Sequence, residues 1–251
     1  AGMLILQKLG HRAEKSTMKD LGMRRKAPSS YDGQTPARDH VNIKRVRRLS
    51  RDELPIETVE LARFLIGKTL VRQLPRAHLT GRIVETEAYV VGDAAAHSFR
   101  GKTERNGTLF LERGHAYVYF VYGNHFMLNV SGAREGVGEG VLLRAVEPLE
   151  GIERMELYRG TDCLLDLARG PGRLAEAFHV TRKLDGIDLC GPGELWLGTA
   201  ARATGGIGVS VRIGITKEAH RPLRFFERGS PFVSGPKHLH GDLHLRRLRK
   251  R

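Results

Sequence analysis

The hydrophobic positions of this chain divide it into several short strands and a few helices. Runs of β-branched, aliphatic and aromatic residues predict strands at 69–73, 82–89, 116–121, 126–130, 141–146, 209–215 and 223–226. Helices are predicted from about Pro55 to Gly67, at 149–158 and at 173–178. Because the strands come in runs and do not alternate strictly with helices, the pattern favours the α+β class. We expect a single domain around a largely antiparallel, curved β-sheet, with a protruding β-hairpin and flanking helices.

The predicted strand at 82–89 carries two carboxylates close together. Alternation along a strand places Ile83, Glu85, Glu87 and Tyr89 on one face. Two acids between an apolar and an aromatic residue are unusual for a core strand, because isolated carboxylates are seldom buried without a partner or a task. The two glutamates therefore either face solvent or form salt bridges, or they belong to a reactive site.

Other predicted strands carry side chains that a core strand seldom contains. Arg144 lies among aliphatic residues and needs an anionic partner, for which Glu87 is the obvious candidate. The two residues could also form a structural ion pair that takes no part in catalysis. Asn129 has apolar neighbours, and the edge of a nucleobase could be one partner for its amide. Tyr117 and Tyr119 share a strand face, which is either sheet core or a stacking surface.

A β-hairpin is predicted between two strands rich in aromatic residues. Gly123 and Asn124 suit its tight turn. Tyr122 and His125 flank this turn, where a side chain is hard to bury in its own domain. Nucleic-acid enzymes insert such side chains between bases to fill the gap that an extruded nucleotide leaves. Tyr122 is therefore a candidate wedge.

The 251-residue chain has a formal net charge of +14, and the excess lies at its two ends. Residues 1–51 carry 13 Lys and Arg against 4 Asp and Glu, and residues 237–251 carry 6 against 1. Residues 52–236 carry 23 charges of each sign. Basic ends favour a nucleic-acid partner, because contacts to phosphates release counterions, although solubilising ends are the alternative. We predict a basic, flexible extension at 1–50, a globular domain at 51–236 and a basic tail that follows it.

The cysteines and the apolar segments argue against several other classes of protein. Cys163 and Cys190 have neither CxxC nor zinc-type spacing. No apolar run approaches the ~18 residues that cross a membrane, and no signal-peptide core is visible. We expect a reduced protein without metal or cofactor. Its expected location is cytoplasmic. It would associate with the nucleoid if the source is bacterial, and it would be nuclear if the source is eukaryotic.

Several ordered motifs resemble those of one enzyme family. They are Arg82-Ile83-Val84-Glu85-Thr86-Glu87-Ala88-Tyr89, Ala95-Ala96-His97-Ser98, Tyr117-Val118-Tyr119 with Tyr122-Gly123, Val141-Leu142-Leu143-Arg144-Ala145 with Glu147-Pro148-Leu149, Gly170-Pro171, Pro222-Leu223-Arg224-Phe225 and Arg228-Gly229-Ser230-Pro231. In this order, the motifs resemble the alkyladenine (3-methyladenine) DNA glycosylase family. The resemblance runs from about residue 54 to residue 234 and leaves out the two basic ends.

The resemblance implies a role for each matching residue. Glu87 corresponds to the general base that activates a water molecule, and Arg144 to the arginine that helps to hold this water. Tyr89, His97 and Tyr119 correspond to the residues that sandwich the flipped base. Asn129 corresponds to the residue that disfavours guanine, and Tyr122 to the tyrosine that intercalates into the duplex. Asn124 and His125 depart from the family pattern at the hairpin tip, where they are the candidates for a second intercalating contact.

These roles imply an enzyme of base excision repair. It would flip an alkylated or deaminated purine out of double-stranded DNA and hydrolyse the N-glycosidic bond with the water that Glu87 activates. No lysine stands out near these motifs as a Schiff-base nucleophile, so we expect a monofunctional glycosylase that leaves the abasic site uncut. A monomer suits an enzyme that scans duplex DNA. The alternative is a non-catalytic nucleic-acid-binding module that uses the aromatic hairpin.

Overall fold

The computed structural model describes residues 46–121, 123 and 125–241. Three α-helices lie in this part of the chain: α1 (Thr58–Leu65), α2 (Ile152–Arg159) and α3 (Pro171–Ala177). The same residues form eight strands: β1 (Thr69–Leu74), β2 (Ala77–Tyr89), β3 (Ala116–Val121), β4 (His125–Ser131), β5 (Gly140–Glu150), β6 (Leu195–Gly198), β7 (Ile207–Ser210) and β8 (Arg224–Glu227). The predicted α+β class, with a curved antiparallel sheet and flanking helices, is confirmed.

The described strands form one antiparallel sheet in which β2 is central. The main path runs β3-β4-β5-β2-β1-β6, while β8 joins β2 and β7 joins β8. β5 pairs along one edge of β2. On the other edge, residues 77–82 pair with β1 and residues 85–87 pair with β8. Residues 85–87 therefore have a strand on each side, and their side chains are fully buried.

The pairing between β2 and β5 is irregular next to the two carboxylates. Ile83 and Glu85 pair with adjacent residues of β5, so Val84 is an extra residue in β2. Ile83 belongs to the main core, whereas Val84 packs in a small separate cluster that includes Phe232. The predicted strict alternation from Ile83 to Tyr89 is wrong, because this bulge interrupts the two-residue period.

α1 packs its apolar stripe against the sheet. Leu61, Ala62 and Leu65 are buried, and each buried leucine contributes about 1.5–3 kcal/mol. The carbonyl oxygen of Ala62 accepts a 2.9 Å hydrogen bond from Oγ1 of Thr86 on β2. Beyond the end of the helix, Gly67 has a φ of 85°, a left-handed conformation that favours glycine. The predicted helix is confirmed, with a later start.

Several elements differ from their predictions. The helix predicted at 149–158 begins at Ile152, because β5 runs into this segment and Gly151 then turns the chain with a φ of 73°. The strand predicted at 209–215 ends at Ser210, and the residues after it lead to the site described below. β6 has no counterpart among the predictions, because its four residues are too few to show a clear alternation.

Most of the two predicted basic ends lies outside the described residues, which begin at Val46 and end at Gly241. Near the start, Leu49 belongs to the main core. Near the end, the carbonyl oxygen of Leu239 accepts a 3.0 Å hydrogen bond from Nη1 of Arg224. The globular body therefore extends a few residues into both predicted ends. Across these residues, no helix has the length and apolar character needed to cross a membrane.

Candidate active site

Glu85 and Glu87 on β2 have different partners, although both side chains are fully buried. Glu85 accepts hydrogen bonds from Nε of Arg144 at 2.9 Å and from Nε of Arg224 at 2.6 Å. It also accepts one from the backbone N–H of Ser234 at 2.6 Å. Charge-assisted bonds of this kind are strong, so Glu85 serves as a structural acid that ties β2 to β5 and β8.

Glu87 is held by a different set of donors. Its Oε1 accepts a hydrogen bond from the backbone N–H of Ile213 at 2.8 Å and lies 3.2 Å from Nη1 of Arg144. Its Oε2 accepts a hydrogen bond from the hydroxyl of Tyr89 at 2.9 Å. All three partners line a cavity, so Glu87 lies directly behind the cavity wall. The predicted pairing of Arg144 with Glu87 is confirmed, and Arg144 also binds Glu85.

The network contains two acidic side chains, Glu85 and Glu87, and two basic ones, Arg144 and Arg224. Burial raises the pKa of Glu87 above its ordinary value of 4.5, while the charge of Arg144 and the N–H of Ile213 oppose this shift. A raised pKa makes an ionised carboxylate a stronger base than a solvated glutamate.

The cavity beside Glu87 has a volume of about 330 Å³. Small-molecule sites have volumes of about 300–1,000 Å³ and are mostly apolar with a few polar groups. Five of the sequence-predicted site residues line this cavity, each from a different strand or loop: Tyr89, His97, Tyr119, Asn129 and Arg144. The structure therefore brings together the residues predicted to bind a base with the arginine predicted to hold the water.

Three rings cluster on the cavity wall. His97 and Tyr119 are in edge contact with their centroids 4.4 Å apart, and Tyr117 lies 5.3 Å from Tyr119. Nδ1 of His97 lies 3.0 Å from the hydroxyl of Tyr117. Burial lowers the pKa of His97 and raises the pKa of Tyr117 to about 12, so both rings are uncharged at neutral pH. The cluster is a neutral aromatic surface, and Tyr117 is also part of the sheet core.

Asn129 lies on β4 and lines the same cavity. Its Nδ2 donates a 3.3 Å hydrogen bond to the carbonyl oxygen of Tyr117, the residue opposite it on β3. The buried amide therefore has one partner within its own sheet, in addition to its position on the cavity wall.

Of the three residues predicted to intercalate, His125 lies within the described part of the chain. Tyr122 and Asn124 lie outside the described residues. His125 begins β4 and lines a separate cavity of about 200 Å³ beside α3. Gly172 of α3 approaches it so closely that a Cβ there would lie 3.1 Å from Cγ of His125. The structure thus places His125 against α3, in a cavity separate from the one that Tyr89, His97, Tyr119 and Asn129 line.

Sequence reasoning missed four residues that support the site. Arg224 is flanked by apolar residues, so the reasoning that selects Arg144 would also select it. Ile213 acts through its backbone N–H, a contact that the identity of the side chain does not reveal. Asp93 and Arg212 form a fully buried ion pair, yet they are far apart in the sequence. Arg224 and Arg212 could have been found before the structure, because both are arginines flanked by apolar residues. The N–H of Ile213 and the choice of Asp93 as a partner could not.

No group of three or more His, Cys, Asp or Glu side chains lies close enough to hold a metal ion within the described ranges. Cys163 and Cys190 are both free thiols. Burial raises the pKa of Cys190 to about 11, which keeps this thiol protonated and unreactive at neutral pH.

Comparison with known proteins identifies the family. The model of the methylpurine-DNA glycosylase family matches residues 52–231, which is well over half of the chain. The chain belongs to this family. A protein of Mesorhizobium japonicum is 62% identical over 191 residues, which cover 76% of this chain and 92% of that protein. One of Paraburkholderia phytofirmans is 56% identical, with coverages of 76% and 90%.

A more distant relative, from Francisella tularensis, is 39% identical over 184 residues, which cover 72% of this chain and 95% of its own length. Each of the three proteins bears the name "Putative 3-methyladenine DNA glycosylase". The resemblance seen in the sequence motifs is confirmed. Every cavity residue named above lies within the range that the methylpurine-DNA glycosylase family model covers.

Proposed function

We propose that this protein is a monofunctional glycosylase of base excision repair, which hydrolyses the N-glycosidic bond of alkylated or deaminated purines in double-stranded DNA. The observation that carries the proposal is the environment of Glu87. This carboxylate is held by Arg144 and by the N–H of Ile213, directly behind an aromatic cavity. Family membership and the names of the relatives support the class of substrate.

The cavity suits a purine that has rotated out of the duplex. Because His97 and Tyr119 touch each other at an interplanar angle of 64°, no ring fits between them, and the base would stack on the face of one ring and contact the edge of the other. Tyr89 would cover the other side of the base. Stacking on aromatic side chains contributes about 1–3 kcal/mol per base, which helps to offset the few kcal/mol that flipping costs. Asn129 would face an edge of the base and disfavour the exocyclic amine of guanine.

Glu87 would act as the general base for the attacking water. An ionised carboxylate has about four acceptor positions. The contacts of Glu87 with Ile213, Arg144 and Tyr89 use three, so one acceptor position remains for the water. Positioned general-base catalysis contributes about 10²–10⁴-fold. The negative charge would also stabilise the positive charge that develops on the deoxyribose as the bond breaks.

Basic side chains beside the cavity would bind the DNA backbone. A second cavity, of about 420 Å³, shares His97 and Tyr117 with the first one. Arg100, Arg105 and Lys217 line it. Cations in such positions neutralise phosphates and make DNA binding dependent on salt.

The hairpin tip would fill the gap that the flipped nucleotide leaves. By analogy with the family, Tyr122 would take the place of the base in the stack, and Asn124 and His125 would add contacts next to it. The basic segments at 1–50 and 237–251 would contribute affinity that does not depend on sequence. We expect the protein to act as a monomer.

Water is the expected nucleophile for this reaction. Among the described residues that line the base cavity there is no lysine, and a lyase reaction would require an amine for a Schiff base. The protein would therefore leave the abasic site uncut.

The proposal is tested by base release under single-turnover conditions. The substrates are methylated DNA and duplexes with hypoxanthine or ethenoadenine, and alkali afterwards cleaves any abasic sites. We expect release from at least one substrate, strand cleavage only after alkali, and no product trapped by borohydride. Lesion binding without release from any substrate would contradict the proposal and favour a non-catalytic binding module. A borohydride-trapped adduct would contradict the monofunctional mechanism.

A further inference from the structure

Asp93 and Arg212 form an ion pair whose two side chains are 0% exposed. Nη2 of Arg212 lies 3.0 Å from Oδ1 of Asp93, and Nη1 donates to Oδ2, so the contact is bidentate. Neither residue lines the base cavity or contacts Glu87 directly. Two charges are costly to desolvate, and a buried pair is weak evidence of a stabilising role. The position of this pair suggests another role.

Arg212 supports the ring of Tyr89 from behind. The central carbon of its guanidinium lies 4.5 Å from the ring centroid. Its Nη1 also donates a 3.1 Å hydrogen bond to the carbonyl oxygen of Ala88, which fixes the guanidinium to β2. A guanidinium on one face of the ring leaves the other face and the edges for a ligand in the cavity. The cation–π contact therefore holds the ring in the plane that lines the cavity.

The same ion pair connects two other parts of the site. Oδ1 of Asp93 accepts a 2.9 Å hydrogen bond from the N–H of Ala95, a cavity residue in the loop that leads to His97. Arg212 is followed directly by Ile213, whose N–H binds the proposed general base. The pair thus links the loop of the aromatic wall to the segment that holds the carboxylate.

The pair also sets the charge behind the Tyr89 ring. An arginine side chain always carries its charge in proteins, so a carboxylate such as that of Asp93 is needed to cancel it. Arg221 lies 4.0 Å from Oδ2 of Asp93, but it is 30% exposed and solvent screens its charge. With Asp93 ionised, the buried pair has no net charge. A positively charged base can then stack on the ring with less repulsion than a lone guanidinium behind the ring would cause. Alkylation at a purine ring nitrogen produces such a charge.

We propose that the Asp93–Arg212 pair is a positioning and specificity-determining unit, which fixes Tyr89 and allows the cavity to accept positively charged purines. This inference rests on the proposed function, because it requires the base to stack on Tyr89. Removal of the charge of Asp93 alone leaves a cation behind the ring. Removal of the charge of Arg212 alone leaves an anion there. The two changes therefore have opposite effects on the preference for cationic over neutral bases.

Equilibrium binding to damaged duplexes tests this inference. Every protein carries Glu87→Gln, so that the base is not released during the measurement. The probes are a duplex with one 7-methylguanine, which is cationic, the same duplex with hypoxanthine, which is neutral, and an undamaged duplex. We expect Asp93→Asn to weaken binding of 7-methylguanine about 10-fold more than binding of hypoxanthine. Arg212→Gln should shift this ratio in the opposite direction, and the double variant Asp93→Asn/Arg212→Gln should restore it.

The surface pair Arg202–Glu147 provides a matched control, because Glu147→Gln/Arg202→Gln removes a similar bidentate contact. This control should leave the ratio unchanged. Equal weakening of both lesions by Asp93→Asn and by Arg212→Gln would overturn the inference and leave the pair with a structural role. If circular dichroism shows that Asp93→Asn does not fold, an unchanged ratio in Arg212→Gln overturns the inference as well. A parent protein that binds damaged and undamaged DNA equally would instead contradict the proposed function.

Discussion

Replacement of Arg144 by glutamine removes a side chain that contacts both carboxylates of β2. Arg144 donates to Glu85 at 2.9 Å, lies 3.2 Å from Glu87 and donates to Oγ of Ser234 at 3.3 Å. Its side chain is 8% exposed, so water has little access to the positions that the guanidinium leaves. In the variant, Glu85 would still form its ion pair with Arg224. Glu87 would have no cation within contact distance among the described residues.

The expected cost is a large fraction of the stability of a domain. Loss of one partner of a buried ion pair destabilises a protein by about 3–5 kcal/mol. Arg224 remains on Glu85, so we expect the lower end of this range, about 3 kcal/mol at neutral pH. In a domain of this size, each kcal/mol lowers Tm by roughly 2–4 °C.

The cost should decrease in acid. Burial raises the pKa of Glu87, and loss of the Arg144 charge would raise it further. A group with a raised folded-state pKa favours the folded state below its unfolded pKa, and this contribution disappears as pH rises through the folded-state pKa. The variant should therefore be closest to wild type below the ordinary glutamate pKa of 4.5 and become relatively less stable as pH rises.

Urea unfolding of wild type and Arg144→Gln, at neutral pH and in mild acid, measures both effects. Arg202→Gln is the control, because Arg202 is 47% exposed and its pair with Glu147 lies at the surface. Exposed pairs contribute about 0–1 kcal/mol. Equal losses in the two variants, or a loss in Arg144→Gln that does not change with pH, would refute the reasoning.

Three further changes have distinct expected outcomes. Tyr89→Phe removes a hydrogen bond that favours the ionised form of Glu87. The acidic limb of the single-turnover pH–rate profile should therefore move to higher pH while lesion binding persists, and an unmoved limb would contradict this. His97→Leu removes a stacking ring, so fluorescence anisotropy should show lesion affinity reduced by about 1–3 kcal/mol and undamaged-duplex affinity unchanged; equal losses for both duplexes would count against a base-stacking role. Gly67→Ala should lower the free energy of unfolding, measured in urea, by about 1–3 kcal/mol, because Gly67 has a φ of 85° and a Cβ would overlap Thr204. Gly160→Ala should lower it by less, because Gly160 has a φ of 62° but open space around it.

The residues that the sequence identified share a local signal. Arg144 and Glu87 carry charges among apolar residues, and a buried charge costs free energy unless it has a partner. Such residues therefore indicate a partner even when the partner is distant. His97 and Tyr119 lie in short motifs of the family. All four were found because their own neighbours in the chain are informative.

Features that depend on the pairing of distant segments could not be predicted in the same way. The bulge at Val84 results from the register between β2 and β5, which no single strand encodes. Ile213 reaches Glu87 through a backbone N–H from 126 positions away. Asp93 and Arg212 are 119 positions apart. Arg212 is flanked by Val211 and Ile213 and so indicates a partner, but nothing in the local sequence identifies Asp93 as that partner. Long-range pairing decides each of these contacts.

The role of Glu87 is tested most directly by single-turnover base release from a lesion that the wild-type protein processes. Wild type, Glu87→Gln and the surface control Glu147→Gln would be compared on the same duplex, together with their lesion affinities. We expect Glu87→Gln to slow base release by about 10²–10⁴-fold with lesion binding retained, and Glu147→Gln to match wild type. Release by Glu87→Gln at the wild-type rate would contradict the assignment of Glu87 as the general base.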